Sequence, residues 1–164
     1  MVYAENETVG EHRSAMIRFA SNLARGRPIE VHRGSARSWL HLSDAVRAIE
    51  AAGRLEDYSV INLGHPEVVA MAELAEMIRA ELKASPELVV TTDLPPRMTL
   101  IKRPTLDRQR SLLGFEPSIG IVEGVRRLCA AQKEEAQAAA GSLTQSPRTT
   151  ARDEARTVAL RSAE

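Results

Sequence analysis

Short β-rich runs alternate with amphipathic helices along this 164-residue chain, and that alternation limits the folds open to it. The clearest helix is predicted from about Ala70 to Lys83, where apolar residues recur at every third or fourth position. Runs rich in β-forming residues at 29–31, 39–42, 58–63 and 87–91 are predicted to be strands. Strands that alternate with helices are typical of α/β folds, so we expect one α/β domain with short strands and several helices.

Local sequence signals set the predicted helix ends. A first helix over about 11–25 is followed by glycine and proline, which stop a helix. A second helix is predicted to be capped by Ser43 and to end at Gly53. A third, over 107–113, is predicted to end at Gly114 because glycine readily adopts the left-handed conformation that closes a helix.

The end of the chain differs in composition from the rest. A final helix is predicted to be capped by Ser118 and to fade after Gln132. Residues 136–164 contain too few apolar side chains to offset the entropy lost on ordering them. We therefore expect a folded region over 1–135 and a disordered tail over 136–164, with nascent helix at 151–160.

Composition excludes several classes of protein. The 22 basic and 22 acidic residues cancel, which is unlike the basic field of a nucleic-acid-binding protein. No run approaches the roughly 20 apolar residues of a membrane span, and the acidic N-terminus is unlike a secretory leader. Cys129 is the only cysteine, which is typical of a reducing compartment. We therefore expect a cytoplasmic protein that binds neither nucleic acid nor membrane.

The sequence carries none of the common catalytic motifs. His12, His32, His41 and His65 show no metal-ligand spacing, and no serine elbow motif is present. A dinucleotide site needs a glycine-rich turn at a helix N-terminus, and the nine glycines form no such pattern. An independent active site is therefore not expected.

Three sequence segments are more informative through their order and spacing along the chain than through any one of them alone. They are 25–29 with 37–44, 60–64 with 73–78, and 107 with 112–117 and 123–124. The first contains Arg37-Ser38-Trp39-Leu40-His41, the second an Asn-Leu-Gly strand end before a Glu-Leu-Ala helix, and the third Leu-Gly-Phe-Glu-Pro before Glu-Gly.

Together these segments resemble the C-terminal, substrate-binding half of the extended short-chain dehydrogenase/reductases, the NAD-dependent nucleotide-sugar epimerases and dehydratases. The resemblance implies a partial Rossmann-type region over 1–135 with nucleotide sugar as its ligand. It implies that Arg37 contacts the substrate diphosphate and that Arg97 or Arg103 supplies a second contact. A guanidinium suits that role because its planar fork of donors meets phosphate oxygens two at a time.

The family's catalytic parts are not found in these 164 residues. Its proton transfer uses a tyrosine with a lysine four residues later, but Glu7 follows Tyr3 and Asn62 follows Tyr58 at that spacing. Full-length members use NAD, whereas we expect no cofactor to be bound by this chain alone. The partners implied are a nucleotide sugar and either a separately encoded Rossmann half or a second copy of the chain.

Other interpretations stay open. Each arginine could be an ordinary surface residue, and His41 and Asp44 are expected to orient the strand-to-helix corner rather than do chemistry. Trp39 is expected in the core. The chain could also be a non-catalytic interaction module or a degenerate remnant. In each case Val2 and the 60–63 run should expose apolar surface that a Rossmann half would cover.

Overall fold

A computed structural model describes residues 1–10 and 13–144 and has the expected mixed α/β fold. Each predicted helix is present, and the third ends at Gly114 with φ of 55°, as its local signal predicts. The helix that follows residue 70 begins without a side-chain cap, because alanine occupies the capping position. The helices are α1 (Ala15–Ala24), α2 (Leu42–Ala52), α3 (Met71–Leu82), α4 (Asp107–Leu113) and α5 (Ile121–Thr144).

Seven short strands form three small sheets. β1 pairs with β4 in parallel, and β2 pairs with β6 in parallel. In the third sheet β3 is central, antiparallel to β5 and parallel to β7. The strands are β1 (Val2–Tyr3), β2 (Ile29–His32), β3 (Ala36–Ser38), β4 (Leu40–His41), β5 (Val68–Ala70), β6 (Val89–Thr92) and β7 (Ile101–Lys102).

The prediction of a strand at 58–63 is wrong. This run is irregular, and Tyr58 and Val60 are 93% and 61% exposed. A strand exists only where a neighbour accepts and donates its backbone hydrogen bonds, and within the described residues no strand lies beside this run. This run therefore has no neighbouring strand to pair with in the described part of the chain, despite its β-forming composition. Val2 and Val60 are exposed, as expected from the sequence.

Helices α1, α3 and α5 pack on one another and enclose most of the core. Tyr3 enters this core from β1, and its ring occupies the space that a side chain at residue 124 would need. A Cβ atom at Gly124 would overlap the Tyr3 hydroxyl, so the Glu-Gly pair of the third sequence segment has a packing cause. The largest fully buried side chains include Met16, Ile17, Leu74, Ile78 and Leu128.

Two helix starts differ from prediction. Helix α2 begins at Leu42, and the imidazole of His41, not Ser43, caps it by accepting the Ser43 N–H at 3.2 Å. Helix α5 begins at Ile121, so Ser118 does not cap it. Helix α5 also continues through residues 136–144, beyond the predicted end near Gln132, whereas the remainder of the predicted tail, 145–164, lies outside the described residues.

Asp44 is fully buried and joins α2 to the segment that leads into α5. Its carboxylate accepts the backbone N–H groups of Ser118 and Ile119 at 3.0 and 2.9 Å, the Ser118 hydroxyl at 2.8 Å and a guanidinium N–H of Arg47 at 2.7 Å. Burial alone would raise the pKa of this carboxyl. The four donors outweigh that effect and hold the Asp44 pKa below its ordinary value.

This anchor fixes which face of α2 points outward. Ala45 and Ala48 lie on the buried side with Asp44. The opposite side carries an apolar stripe, Leu42, Val46 and Ile49, whose members are 47%, 45% and 61% exposed. Their i, i+4, i+7 spacing places them on one face, which no described part of the chain covers.

We predict that Asp44→Asn lowers the free energy of unfolding by about 1–3 kcal/mol at neutral pH, because an amide nitrogen cannot accept the Ser118 and Ile119 donors. A carboxyl with a depressed folded-state pKa stabilises the protein above its unfolded pKa, and this contribution is lost as the pH falls through the folded value. Stability measured by chemical denaturation should therefore fall less steeply with acid in the variant. Asp93→Asn, which removes an exposed ion pair to Arg33, is the control and should change little.

Candidate functional site

A cavity of about 270 Å³ opens where the start of α1, the strands β2 and β3 and the segment before β7 converge. Its wall combines apolar and aromatic side chains with cations, as in sites that hold a flat ring and an anionic group. The lining residues are Met1, Arg13, Ser14, Ala15, Arg18, Phe19, Glu30, His32, Ser35, Arg37, Trp39, Met71, Met98 and Lys102.

Strand alternation explains how β2 contributes to the cavity. Ile29 and Val31 point into the core and are 2% and 0% exposed. Successive side chains of a strand point to opposite faces, so Glu30 and His32 share the other face and line the cavity. One short strand thus supplies both core packing and two polar side chains of the site.

The cavity is electropositive. Arg13, Arg18 and Lys102 line it, and none of them forms an ion pair within the described part of the chain. Glu30 is the one carboxylate among the described lining residues. Arg13, Arg18 and Lys102 are exposed, so solvent screens their charges, but their excess over Glu30 gives the lining a net positive charge that suits an anionic ligand.

Arg37, for which the family resemblance implies a diphosphate contact, lies at the wall of this cavity, but its guanidinium is already engaged. The diphosphate contact stays a prediction. It is 8% exposed and donates to the carbonyl oxygens of Ala36 at 2.8 Å, Leu100 at 2.7 Å and Thr99 at 2.8 Å. Burial lowers the pKa of this arginine. In this arrangement Arg37 holds the 99–100 backbone against β3, which shapes the wall formed by Met98 and Lys102.

Neither Arg97 nor Arg103 lines the cavity. Arg97 is exposed in a turn, with φ of 69°, closed by the Met98 N–H to the Pro95 carbonyl. Arg103 follows the end of β7 and is exposed. A direct role of either arginine in substrate binding stays a prediction.

Lys102, Arg13, Arg18 and Glu30 were not identified from the sequence. Their types are common on surfaces, and only the register of β7 beside β3 and the position of α1 bring them together. For β2, the alternation of Ile29 and Val31 with polar residues was a usable signal, since it predicts that Glu30 and His32 share a face.

His41 and Trp39 have the positions expected of them. The His41 ring accepts the Ser43 N–H on Nδ1, so Nε2 donates to Glu5 at 3.0 Å, and Tyr3 packs edge-on against the ring. His41 therefore orients the corner where β4 enters α2, whereas Asp44, which was expected to act at the same corner, instead accepts hydrogen bonds from Ser118, Ile119 and Arg47. Trp39 is 3% exposed and packs edge-on against Tyr3, and it serves both the core and the cavity wall.

The described residues offer neither a metal site nor a reactive thiol. No cluster of three or more His, Cys, Asp or Glu residues there could hold a metal ion. Burial raises the pKa of the Cys129 thiol to about 12, so this cysteine is a poor nucleophile. No described helix is long and apolar enough to cross a membrane.

Comparison with known proteins places the chain beside nucleotide-sugar enzymes, although no family model matches it. It is 31% identical over 133 residues to an uncharacterized protein of Methanocaldococcus jannaschii, covering 78% of this chain and 39% of that protein. It is 28% identical over 111 residues to UDP-glucuronic acid decarboxylase 5 of Arabidopsis thaliana, covering 65% of this chain and 32% of that protein. The chain thus spans less than half the length of the curated relatives it matches.

Solved structures share the fold. UDP-glucose 4-epimerase of Thermotoga maritima, solved with UDP-glucose, superposes with a TM-score of 0.76 at 18% identity over 82% of this chain and 44% of that chain. UDP-glucuronic acid 4-epimerase of Bacillus cereus, solved with UDP-glucuronic acid and NAD, superposes with a TM-score of 0.69 at 18% identity, covering 82% and 43% of the two chains. The predicted resemblance to the C-terminal half of NAD-dependent nucleotide-sugar epimerases and dehydratases is confirmed.

We predict that Arg37→Lys loosens the 98–102 segment, because an ammonium cannot reach the three carbonyl oxygens that the planar guanidinium joins. The free energy of unfolding should fall by about 1–3 kcal/mol. Hydrogen exchange should accelerate in the peptide that contains 98–102. Arg33→Lys, at an exposed arginine, is the matched control. Unchanged exchange in Arg37→Lys would show that the guanidinium does not anchor this segment.

Proposed function

We propose that this chain is the substrate-binding part of an NAD-dependent nucleotide-sugar epimerase or dehydratase and that the 164 residues do not catalyse the reaction alone. The observation that carries the proposal is the electropositive cavity, which lies beside the predicted Arg37 in a fold shared with nucleotide-sugar enzymes. The ligand we propose for it is a nucleoside diphosphate sugar. The cytoplasm, expected from the single cysteine, is part of the same proposal.

Different residues of the cavity lining suit the base and the diphosphate of such a ligand. Phe19, Trp39 and His32 offer flat or apolar surfaces on which a base can rest. The cations Arg13, Arg18 and Lys102 can meet a diphosphate with charge-assisted hydrogen bonds. Arg37 acts in this proposal mainly by fixing the wall, because its donors are turned to backbone carbonyls.

Two observations support the view that cofactor binding and proton transfer need another part. The nine glycines form no dinucleotide motif, and the space beside Gly124 is filled by Tyr3. At the entrance to α5, the N–H groups of Ser118 and Ile119 are held by Asp44 and do not face a phosphate. Both observations support the proposal that these residues hold no NAD by themselves.

We propose that a Rossmann-type half, in the same polypeptide or in a separate chain, covers the apolar stripe of α2. That stripe and the exposed Val2 and Val60 are apolar surfaces of the kind that mark an interface. The same stripe favours the second candidate function, a non-catalytic module that binds an unrelated protein or a second copy through α2. The two candidates differ in whether the cavity binds a nucleotide.

We predict that the chain binds nucleoside diphosphates and that Lys102→Ala weakens this binding about tenfold, because it removes one charge-assisted phosphate contact. Arg54→Ala is the matched control, since it removes an exposed cation that does not line the cavity. Calorimetry with UDP and GDP measures both, and the loss should disappear with the uncharged nucleosides. Equal losses in the two variants would show that Lys102 acts only through the overall charge of the chain, and the absence of any diphosphate binding would refute the proposal.

We predict no turnover of UDP-, GDP- or dTDP-sugars by the 164-residue chain with NAD, because neither tyrosine has a lysine four residues later. Products are followed by chromatography, first with the chain alone and then with a Rossmann-type protein encoded beside it. Activity only in the mixture would support a split enzyme. Turnover by the chain alone would overturn the proposal.

A further inference from the structure

Glu30 is an unexpected residue in a cavity that otherwise attracts anions. It shares the cavity with Arg13, Arg18 and Lys102, yet it forms no ion pair within the described residues. A carboxylate beside a diphosphate would repel it, which would work against the surrounding cations. Glu30 is exposed and lines the cavity, so a ligand bound there would place a part other than its phosphates beside this carboxylate.

In β2, the main chain of Glu30 takes part in the sheet while its side chain is free to face the cavity. Its side chain points to the cavity face while its main chain pairs with Val90 of β6. His32 lies two residues further on the same face, about 6.6 Å along a regular strand. A base that rests against the imidazole would lie within reach of the Glu30 carboxylate, since a purine is itself about that long.

The chemistry of a carboxylate restricts which base it can hold. An ionised carboxylate only accepts hydrogen bonds, through two oxygens side by side. Guanine presents two adjacent donors, N1–H and the 2-amino group, that match such a pair. Uracil and thymine present one N–H between two carbonyl oxygens, which the carboxylate repels. Adenine and cytosine each place a ring-nitrogen acceptor beside their amino group.

We propose that this cavity selects a guanine nucleotide and that Glu30 reads the N1–H and 2-amino edge of the base. The inference rests on the proposed nucleotide-binding function and adds the class of nucleotide to it. Glu30 is the specificity-determining residue, Arg13, Arg18 and Lys102 hold the phosphates, and His32 supports the base plane. Selectivity comes from repulsion as well as attraction, since the pyrimidine carbonyls are rejected by the same oxygens that accept from guanine.

The wild-type chain tests this without any substitution. Calorimetry compares GDP, UDP, dTDP and ADP, and the expected result is GDP binding roughly tenfold or more tightly than the others. Inosine diphosphate, which lacks only the 2-amino group, should lose a large part of that advantage. UDP binding as tightly as GDP would overturn the inference and leave the proposed function standing, whereas failure of every diphosphate to bind would remove both.

Variants then assign the selectivity to Glu30. Glu30→Gln keeps the size of the side chain but replaces one acceptor by a donor, so the preference for GDP over UDP and over inosine diphosphate should fall several-fold. Glu87→Gln, at an exposed glutamate that does not line the cavity, is the matched control and should keep both ratios. Circular dichroism checks that each variant is folded. If Glu30→Gln is folded and its affinity ratios for GDP over UDP and over inosine diphosphate are unchanged, the role of Glu30 is overturned. If that variant does not fold, the wild-type comparison of GDP with UDP and inosine diphosphate decides the proposal alone.

Discussion

The buried carboxylate of Asp44 is the interaction on which the arrangement of the helices depends. A charge taken out of water is stable only when donors surround it, and here two backbone N–H groups, a hydroxyl and a guanidinium do so. The backbone donors of Ser118 and Ile119 are fixed in direction. They therefore determine how α2 sits against the entrance to α5.

One consequence of this anchor is that α2 exposes an apolar surface to solvent. Because Asp44, Ala45 and Ala48 face inward, the larger apolar residues of α2 must face outward. A helix usually buries its wide apolar side, and α2 instead buries a charge and two alanines. This inversion is understandable if the outward side packs against a further domain, since both sides of the helix are then buried.

The sequence predicts local features of the fold better than features that depend on pairing. The helix over 71–82 and the stop at Gly114 follow from periodicity and from left-handed backbone, which are properties of the segment itself. The 58–63 run has strand composition without a partner, and composition alone cannot report that absence. The site shows the same limit: Arg37 was predicted from its sequence segment, whereas Lys102 reaches the cavity only through the register of β7 beside β3.

Arg37 shows how a residue can matter to a binding site through the backbone it holds. Its three acceptors are carbonyl oxygens, so the guanidinium neutralises no charge and leaves the positive potential of the cavity intact. It also holds the 99–100 backbone just before Lys102, another of the cations at the wall. An arginine that held a carboxylate instead would cancel that potential. A guanidinium satisfied by neutral acceptors therefore contributes to this cavity in two ways, by its positive field and by the rigidity of the wall.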